Sequence, residues 1–221
     1  MKVKYLCMIM ILALLTIGCA GCMSSERPHS TTINSISEFT PMPEQFSSFD
    51  ELLRTIDDYR TDGRFKSSGL KNIRQINIID SRNYEMPLSK IFVSIGNVCV
   101  YYDYIEQDSL LINQYNNDQD ERSVEALSYV RVITMLNVDP LPPNQVPDFI
   151  MNNQSIFEKI EKDGQIYYIA ALTSSIDELI GWEIFMVIDG FVVTVGIPVT
   201  MGLNAGLNLC QNAIMKHEII K

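Results

Sequence analysis

The chain has 221 residues, 17 of them basic and 27 acidic, a formal net charge of −10 and 47 % hydrophobic residues. That length suffices for one domain, or two small ones, with a buried core. The acidic balance excludes a nucleic-acid binder driven by Lys and Arg on phosphates, so no nucleic-acid partner is expected.

The first 22 residues read MKVKYLCMIMILALLTIGCAGC. Lys2 and Lys4 precede an uncharged, largely apolar run over positions 5–17. A spanning helix needs about 20 such residues, so the run predicts a signal peptide over 1–18 rather than a permanent span. It ends in Leu15-Thr16-Ile17-Gly18-Cys19. This ending resembles the lipobox of bacterial lipoproteins, although Thr16 stands where Leu is commonest. The resemblance implies a diacylglyceryl group on the Cys19 thiol, cleavage after Gly18 and attachment to the extracytoplasmic face of a cell membrane. Cys22, preceded by Gly21, is the alternative lipidation site. An ordinary secretory leader cut after a small residue is the other reading, and both place the mature chain outside the cytoplasm. Loss of residues 1–18 removes Lys2 and Lys4, which leaves 15 basic against 27 acidic residues and a net charge of −12. Anionic head groups repel such a body. The membrane partner would therefore be engaged through the acyl chains, of which stable anchoring needs more than one.

Residues 19–45 carry the acylatable cysteine and then a Ser-, Thr- and Pro-rich stretch without amphipathic period, which predicts a flexible tether. The body follows from 46 to 221. Ser48-Phe49-Asp50-Glu51 has the form of a capping box, and Phe49, Leu52, Leu53, Ile56 and Tyr59 recur on one helical face until Asp62-Gly63. Strands are predicted over 73–79, over 91–95 and 98–102 about Gly96-Asn97, and over 110–115 and 127–136. The segment 137–147, with Asp139-Pro140-Leu141-Pro142-Pro143, continues neither a helix nor a central strand and marks a boundary between halves 46–136 and 148–221. Beyond it, 156–160 and 165–172 flank Asp163-Gly164, and 183–188 and 191–197 flank Asp189-Gly190. Asp-Gly between apolar runs is a strong hairpin signal because the turn needs positive φ. Val192, Val193 and Val195 around Thr194 predict a central strand, and Ser175 to Glu178 a short helical turn between the hairpins. Residues 203–218 return to a helical period. The expected class is α+β: a mainly antiparallel sheet built from hairpins, with an N-terminal and a C-terminal helix packed on it.

Five cysteines are present; after removal of Cys7 and acylation of Cys19, the remaining Cys22, Cys99 and Cys210 make no disulfide framework, although a Cys99–Cys210 bond is conceivable outside the cell. Asn116, Asp118 and Asp120 imitate the start of an EF-hand loop, but Glu121 and Leu127 replace its Gly and bidentate Glu, so a polar turn is expected and no metal site. His29 lies in the tether, and His217 is expected in the last helical turn, two turns from Cys210 and out of reach of a thiol nucleophile. No cofactor motif is present. Asp103, Glu106 and Asp108 are the candidates for carboxylate-based hydrolysis of an envelope glycan. Tyr102 and Tyr168 are the candidate binding residues, each the expected exposed member of an adjacent pair with Tyr101 and Tyr167. Three readings follow. The first is a non-enzymatic lipid-anchored binding or interaction module, with an envelope protein as candidate partner. The others are an envelope hydrolase and an assembly lipoprotein that clasps a partner strand.

Overall fold

The computed structural model describes residues 44–64, 70, 73, 75–80, 84–94, 96–104, 108–135, 140–142 and 145–218. The leader, both candidate lipidation cysteines, His29 and Glu106 lie outside the described residues. The architecture is mainly antiparallel sheet with several helices.

A short strand β1 (Glu44–Phe46) leads into helix α1 (Phe49–Asp62). The Ser48 hydroxyl accepts the Glu51 N–H at 3.2 Å, while the Glu51 carboxylate accepts from the Ser47 N–H and hydroxyl, each at 2.7 Å. The reciprocal cap is thus offset by one residue from the simple box. Leu52 and Ile56 enter the core, and Gly63 ends the helix at φ +83°. Strand β2 (Gln75–Ile79) is followed by the hairpin β3 (Leu88–Val93) and β4 (Asn97–Asp103), helices α2 (Ser109–Asn117) and α3 (Glu121–Ser128), and strand β5 (Tyr129–Met135). After the proline-rich segment come one helical turn, α4 (Asp148–Met151), and the meander β6 (Glu158–Lys162), β7 (Gln165–Thr173), β8 (Leu179–Ile188) and β9 (Phe191–Pro198). Helix α5 (Leu203–Asn212) and strand β10 (Ile214–Glu218) close the described chain.

Eight strands form one sheet in the order β1-β3-β4-β5-β9-β8-β7-β6, and β10 pairs with β2 in a separate ribbon. The ladder between β5 and β9 joins the two meanders, so strands from before and after residues 137–147 lie side by side. Side chains alternate between the two faces. On the inner face the register aligns Ile91, Val100, Val132, Val195, Ile184 and Ile169, all buried. Helix α5 packs there closely enough that a Cβ on Gly206 would overlap the Ile197 side chain. The β2–β10 ribbon also lies on this face: the Asn77 N–H donates to Thr134 Oγ1 and the Ile79 N–H to the Tyr102 hydroxyl, both at 2.9 Å.

Four expectations are corrected. Residues 110–115 form helix α2, because Asp108 accepts the Leu110 and Leu111 N–H groups and the chain turns Leu111, Ile112 and Tyr115 inward. Residues 127 and 128 end helix α3, and the strand begins at Tyr129. The loop at 174–178 is not helical; the Ser174 hydroxyl accepts the Glu178 N–H at 3.2 Å, and Asp177 adopts φ +65°. Helix α5 stops at Asn212, where pairing of Ile214 with Ile79 converts the rest of the expected helix into β10. His217 therefore stands opposite Ile76 on a strand, and the helical spacing between it and Cys210 does not exist.

Candidate functional site

The register of the outer face places Lys90, Tyr101, Arg131, Gly196, Glu183 and Ala170 side by side, one from each of six neighbouring strands. This row lies one residue along from the apolar row of the inner face, so the same strands carry a dry core on one side and a charged array on the other.

Gly196 organises its centre. A Cβ there would stand 3.0 Å from Nε and Nη2 of Arg131, so the guanidinium lies directly over the β9 backbone. It meets two carboxylates. Arg131 Nη2 is 3.7 Å from Glu183 Oε1, and Nη1 donates to Glu125 Oε1 at 3.3 Å. The Arg131 and Glu183 side chains are only 16 % and 8 % exposed, against 36 % for Glu125, so the pair with Glu183 is the desolvated one. Burial raises the Glu183 carboxyl above its usual range, and Arg131 opposes that rise. Burial likewise works against the Arg131 charge, but Glu183 and the other anionic neighbours outweigh it and shift its ionisation upward. Arg131 Nε is buried with no hydrogen-bond partner.

Tyr101 extends the array. Its hydroxyl donates to the same Glu125 oxygen at 3.3 Å, and burial, then proximity to Cys99 and Glu125, pushes its ionisation well above the usual phenol range. Its ring meets Tyr129 edge-on at 5.6 Å and Phe92 at 6.2 Å between centroids. The Lys90 ammonium stands 4.6 Å from the Tyr101 ring centre, 5.0 Å from that of Tyr129 and 5.7 Å from that of Phe92. All three distances fall within the roughly 6 Å range of cation–π attraction.

Of the residues expected from the sequence, Tyr168 and Asp103 lie on this outer face beside the row, and Tyr102 and Asp108 lie off it. Tyr102 is buried, 4 % exposed, and its hydroxyl accepts the Ile79 N–H, with burial pushing its ionisation up to about 12. In this pair it is Tyr101, itself half-buried, that faces outward. Tyr168 is half-buried beside the Ile150–Ala170–Phe185 cluster. Asp103 is half-buried opposite Tyr129, and Asp108 is occupied as the cap of α2. Asp120 caps α3 through the Ser123 N–H and hydroxyl, which accounts for the polar turn around 116–120. Among the described residues no group of three His, Cys, Asp or Glu could hold a metal ion. Cys99 and Cys210 are both buried, and no disulfide joins them.

The row was detectable in principle from two strands. Arg131 interrupts the apolar run 130–133 and Glu183 interrupts 180–188, opposite charges in otherwise buried strands. Comparison with family models, with curated proteins and with solved structures gives no match.

Proposed function

We propose that the chain is a lipid-anchored extracytoplasmic binding protein, acylated at Cys19 and presenting the outer sheet face to its ligand or envelope partner. The leader supports the location, and no helix among the described residues is long and apolar enough to cross a membrane. The observation that carries the binding reading is the Lys90–Tyr101–Arg131–Glu183 row. The cation held among three half-buried rings at the Lys90 end of the row supports a recognition surface, while the desolvated Arg131–Glu183 pair, packed beside helix α3, holds that face in place. Helices α1 and α5 belong to the inner-face core, whereas α3 packs against β8 and β9 beside the Arg131–Glu183 end of the row and leaves its Lys90–Tyr101 end half-buried.

The alternatives draw less support. The hydrolase reading relied on Asp103, Glu106 and Asp108, and the Asp108 carboxylate caps a helix. The assembly reading calls for a long unpaired edge. Among the described residues, the eight-stranded sheet ends in β1, of 3 residues, and β6, Glu-Lys-Ile-Glu-Lys, whose charges oppose strand addition, and the strands of the β2–β10 ribbon have 5 residues each.

Metabolic labelling with an alkyne fatty acid, followed by membrane fractionation, tests the anchor. Cys19→Ser should abolish label and membrane retention; label that persists there and vanishes in Cys22→Ser would move the site to Cys22. Photo-crosslinkers at Met135 on the outer face and at Asn208 on the exposed side of α5 test the face. Adducts confined to Asn208 would refute the binding surface.

A further inference from the structure

We propose that the Phe92–Tyr101–Tyr129 ring cluster is a binding site for a quaternary ammonium group, with Lys90 as an internal stand-in that the ligand displaces. The inference rests on the outer face being the contact surface and adds the chemical class of the ligand. Phe92 comes from β3, Tyr101 from β4 and Tyr129 from β5, with Tyr101 and Tyr129 at an interplanar angle of 90° and Phe92 and Tyr101 at 66°. Rings set at such angles present more than one negative face to a shared point, and the Lys90 ammonium marks that point. The walls are held in place independently of Lys90: Tyr101 is tied to Glu125, and Glu125 to Arg131.

Charge and hydration select the occupant. On the outer face about Tyr101, two cations, Lys90 and Arg131, stand with two carboxylates, Glu125 and Asp103, the latter opposite Tyr129. Withdrawal of Lys90 leaves one guanidinium before two carboxylates, so the replacement should be cationic. A primary ammonium carries three N–H donors and is strongly hydrated, and ring faces return few of the hydrogen bonds it gives up. A quaternary ammonium has no donor to satisfy and sheds its water at lower cost. It can therefore compete with Lys90 despite the advantage of covalent attachment. Lys90 sits on β3 near the sheet edge, half-exposed, so its side chain can swing to solvent without backbone movement.

This arrangement fixes the sign of a mutational effect. Apparent affinity equals the intrinsic affinity scaled by the fraction of molecules with an open cluster. Removing Lys90 raises that fraction to one. The test is calorimetric titration of choline chloride into the full acylated chain in dodecyl maltoside, with 3,3-dimethylbutanol as the neutral isostere. Lys90→Thr, a short β-branched residue that cannot reach the rings, should tighten choline binding roughly three- to tenfold. Lys90→Arg, which keeps a cation over the rings, should give no gain. Tyr129→Leu should weaken binding in the Lys90→Thr background by a similar factor, and the neutral isostere should bind far more weakly than choline. Parallel titration with a short-chain phosphatidylcholine below its micellar concentration separates sources: tighter binding assigns a lipid headgroup, weaker binding a free quaternary amine. Absence of choline binding in a Lys90→Thr chain with unchanged Trp182 emission overturns the inference, as does equal binding of the isostere or weaker binding after Lys90→Thr. If crosslinking from Met135 still captures a partner in that case, the binding surface stands and only the ligand class fails.

Discussion

Replacing Arg131 with Met removes the guanidinium while keeping most of the unbranched stem, and it isolates the desolvated pair with Glu183. The carboxylate, 8 % exposed, would lose the cation 3.7 Å away. Breaking a buried pair from one side costs about 3–5 kcal/mol when the remaining charge stays ionised. Protonation sets a ceiling. At pH 7, holding a carboxyl of ordinary value 4.5 neutral costs about 1.36 kcal/mol for each of 2.5 pH units, about 3.4 kcal/mol. Wild-type Glu183 is already raised by burial, so part of that cost is present before the substitution. The expected loss is therefore about 2–3 kcal/mol at pH 7, with the more exposed Glu125 contact adding little. The sign with pH follows. In the variant the native state keeps a proton on Glu183 that the unfolded state releases above 4.5. The native state then binds more protons, so stability falls as pH rises from there. At pH 5 the penalty should shrink below about 1 kcal/mol. Urea unfolding followed by Trp182 fluorescence reads this as a midpoint shift of about 1 M at pH 7 that largely vanishes at pH 5. Adding Glu183→Gln to Arg131→Met should recover about 1–2 kcal/mol at pH 7. A loss under about 0.5 kcal/mol that is flat with pH would show that the pair is not desolvated and would refute the reasoning.

Tyr102→Phe strands the Ile79 N–H, whose acceptor is the Tyr102 hydroxyl at 2.9 Å, and should cost about 1–3 kcal/mol in the same urea assay; a neutral result would mean that water replaces the hydroxyl. Gly164 and Gly190 both sit in hairpin turns at positive φ, +79° and +84°, so Ala at either should cost about 1–2 kcal/mol. Only at Gly190 would the new Cβ also meet Pro140 Cβ and Leu141 O at 3.0 Å, so Gly190→Ala should be the more damaging by at least about 1 kcal/mol in thermal or urea unfolding. Cys99 and Cys210 are buried, and burial raises the Cys210 thiol far above its usual value, so neither should take up iodoacetamide in the native chain at pH 8, as peptide mass mapping would show, while both should react in urea.

The parts of the fold legible in the sequence are those fixed by local geometry. Asp163-Gly164 and Asp189-Gly190 adopt φ values of +51° and +79°, and +51° and +84°, the mirror-image turn that an Asp-Gly pair permits. The apolar pattern of β9 places it inside the sheet, and residues 192–198 are all buried. Where pattern and capping conflict, the cap decides: the run 110–115 alternates poorly for either element, and Asp108 turns it into a helix that leaves Leu110 84 % exposed. The end of α5 is set by a partner far away in sequence, since the strand character of 214–218 exists through β2. The candidate site is hidden for the same reason. Lys90, Tyr101, Arg131, Glu183 and Gly196 become neighbours only through four ladders, and choosing Tyr102 over Tyr101 as the outward residue is a one-position error of face that only the register resolves.

That register is most demanding between β5 and β9, where the two meanders join. A slip of one residue exchanges inner and outer faces. In β9 the sequence Phe-Val-Val-Thr-Val-Gly-Ile-Pro is apolar on both faces, and burial of residues 192–198 rewards either orientation almost equally. Hydrophobic pattern alone therefore discriminates weakly at this seam. The Arg131–Gly196–Glu183 crossing supplies what the pattern lacks. Only the observed register places a residue without Cβ beneath the guanidinium; a slip puts Val195 or Ile197 there and drives a charge toward the core. The pair then acts on specificity more than on stability, and the two are separable. A chain with Arg131→Met and Glu183→Gln should retain most of its stability yet lose the penalty against the slipped seam. Amide NMR of β5 and β9 would reveal that as doubled resonances, whereas a single sharp set would assign register to the loops and the inner-face core. Under the proposed function this seam is also the floor of the ligand site. Gly196→Ala should then disturb both together, lifting Arg131 from β9 and loosening its hold on Glu125, which in turn positions Tyr101.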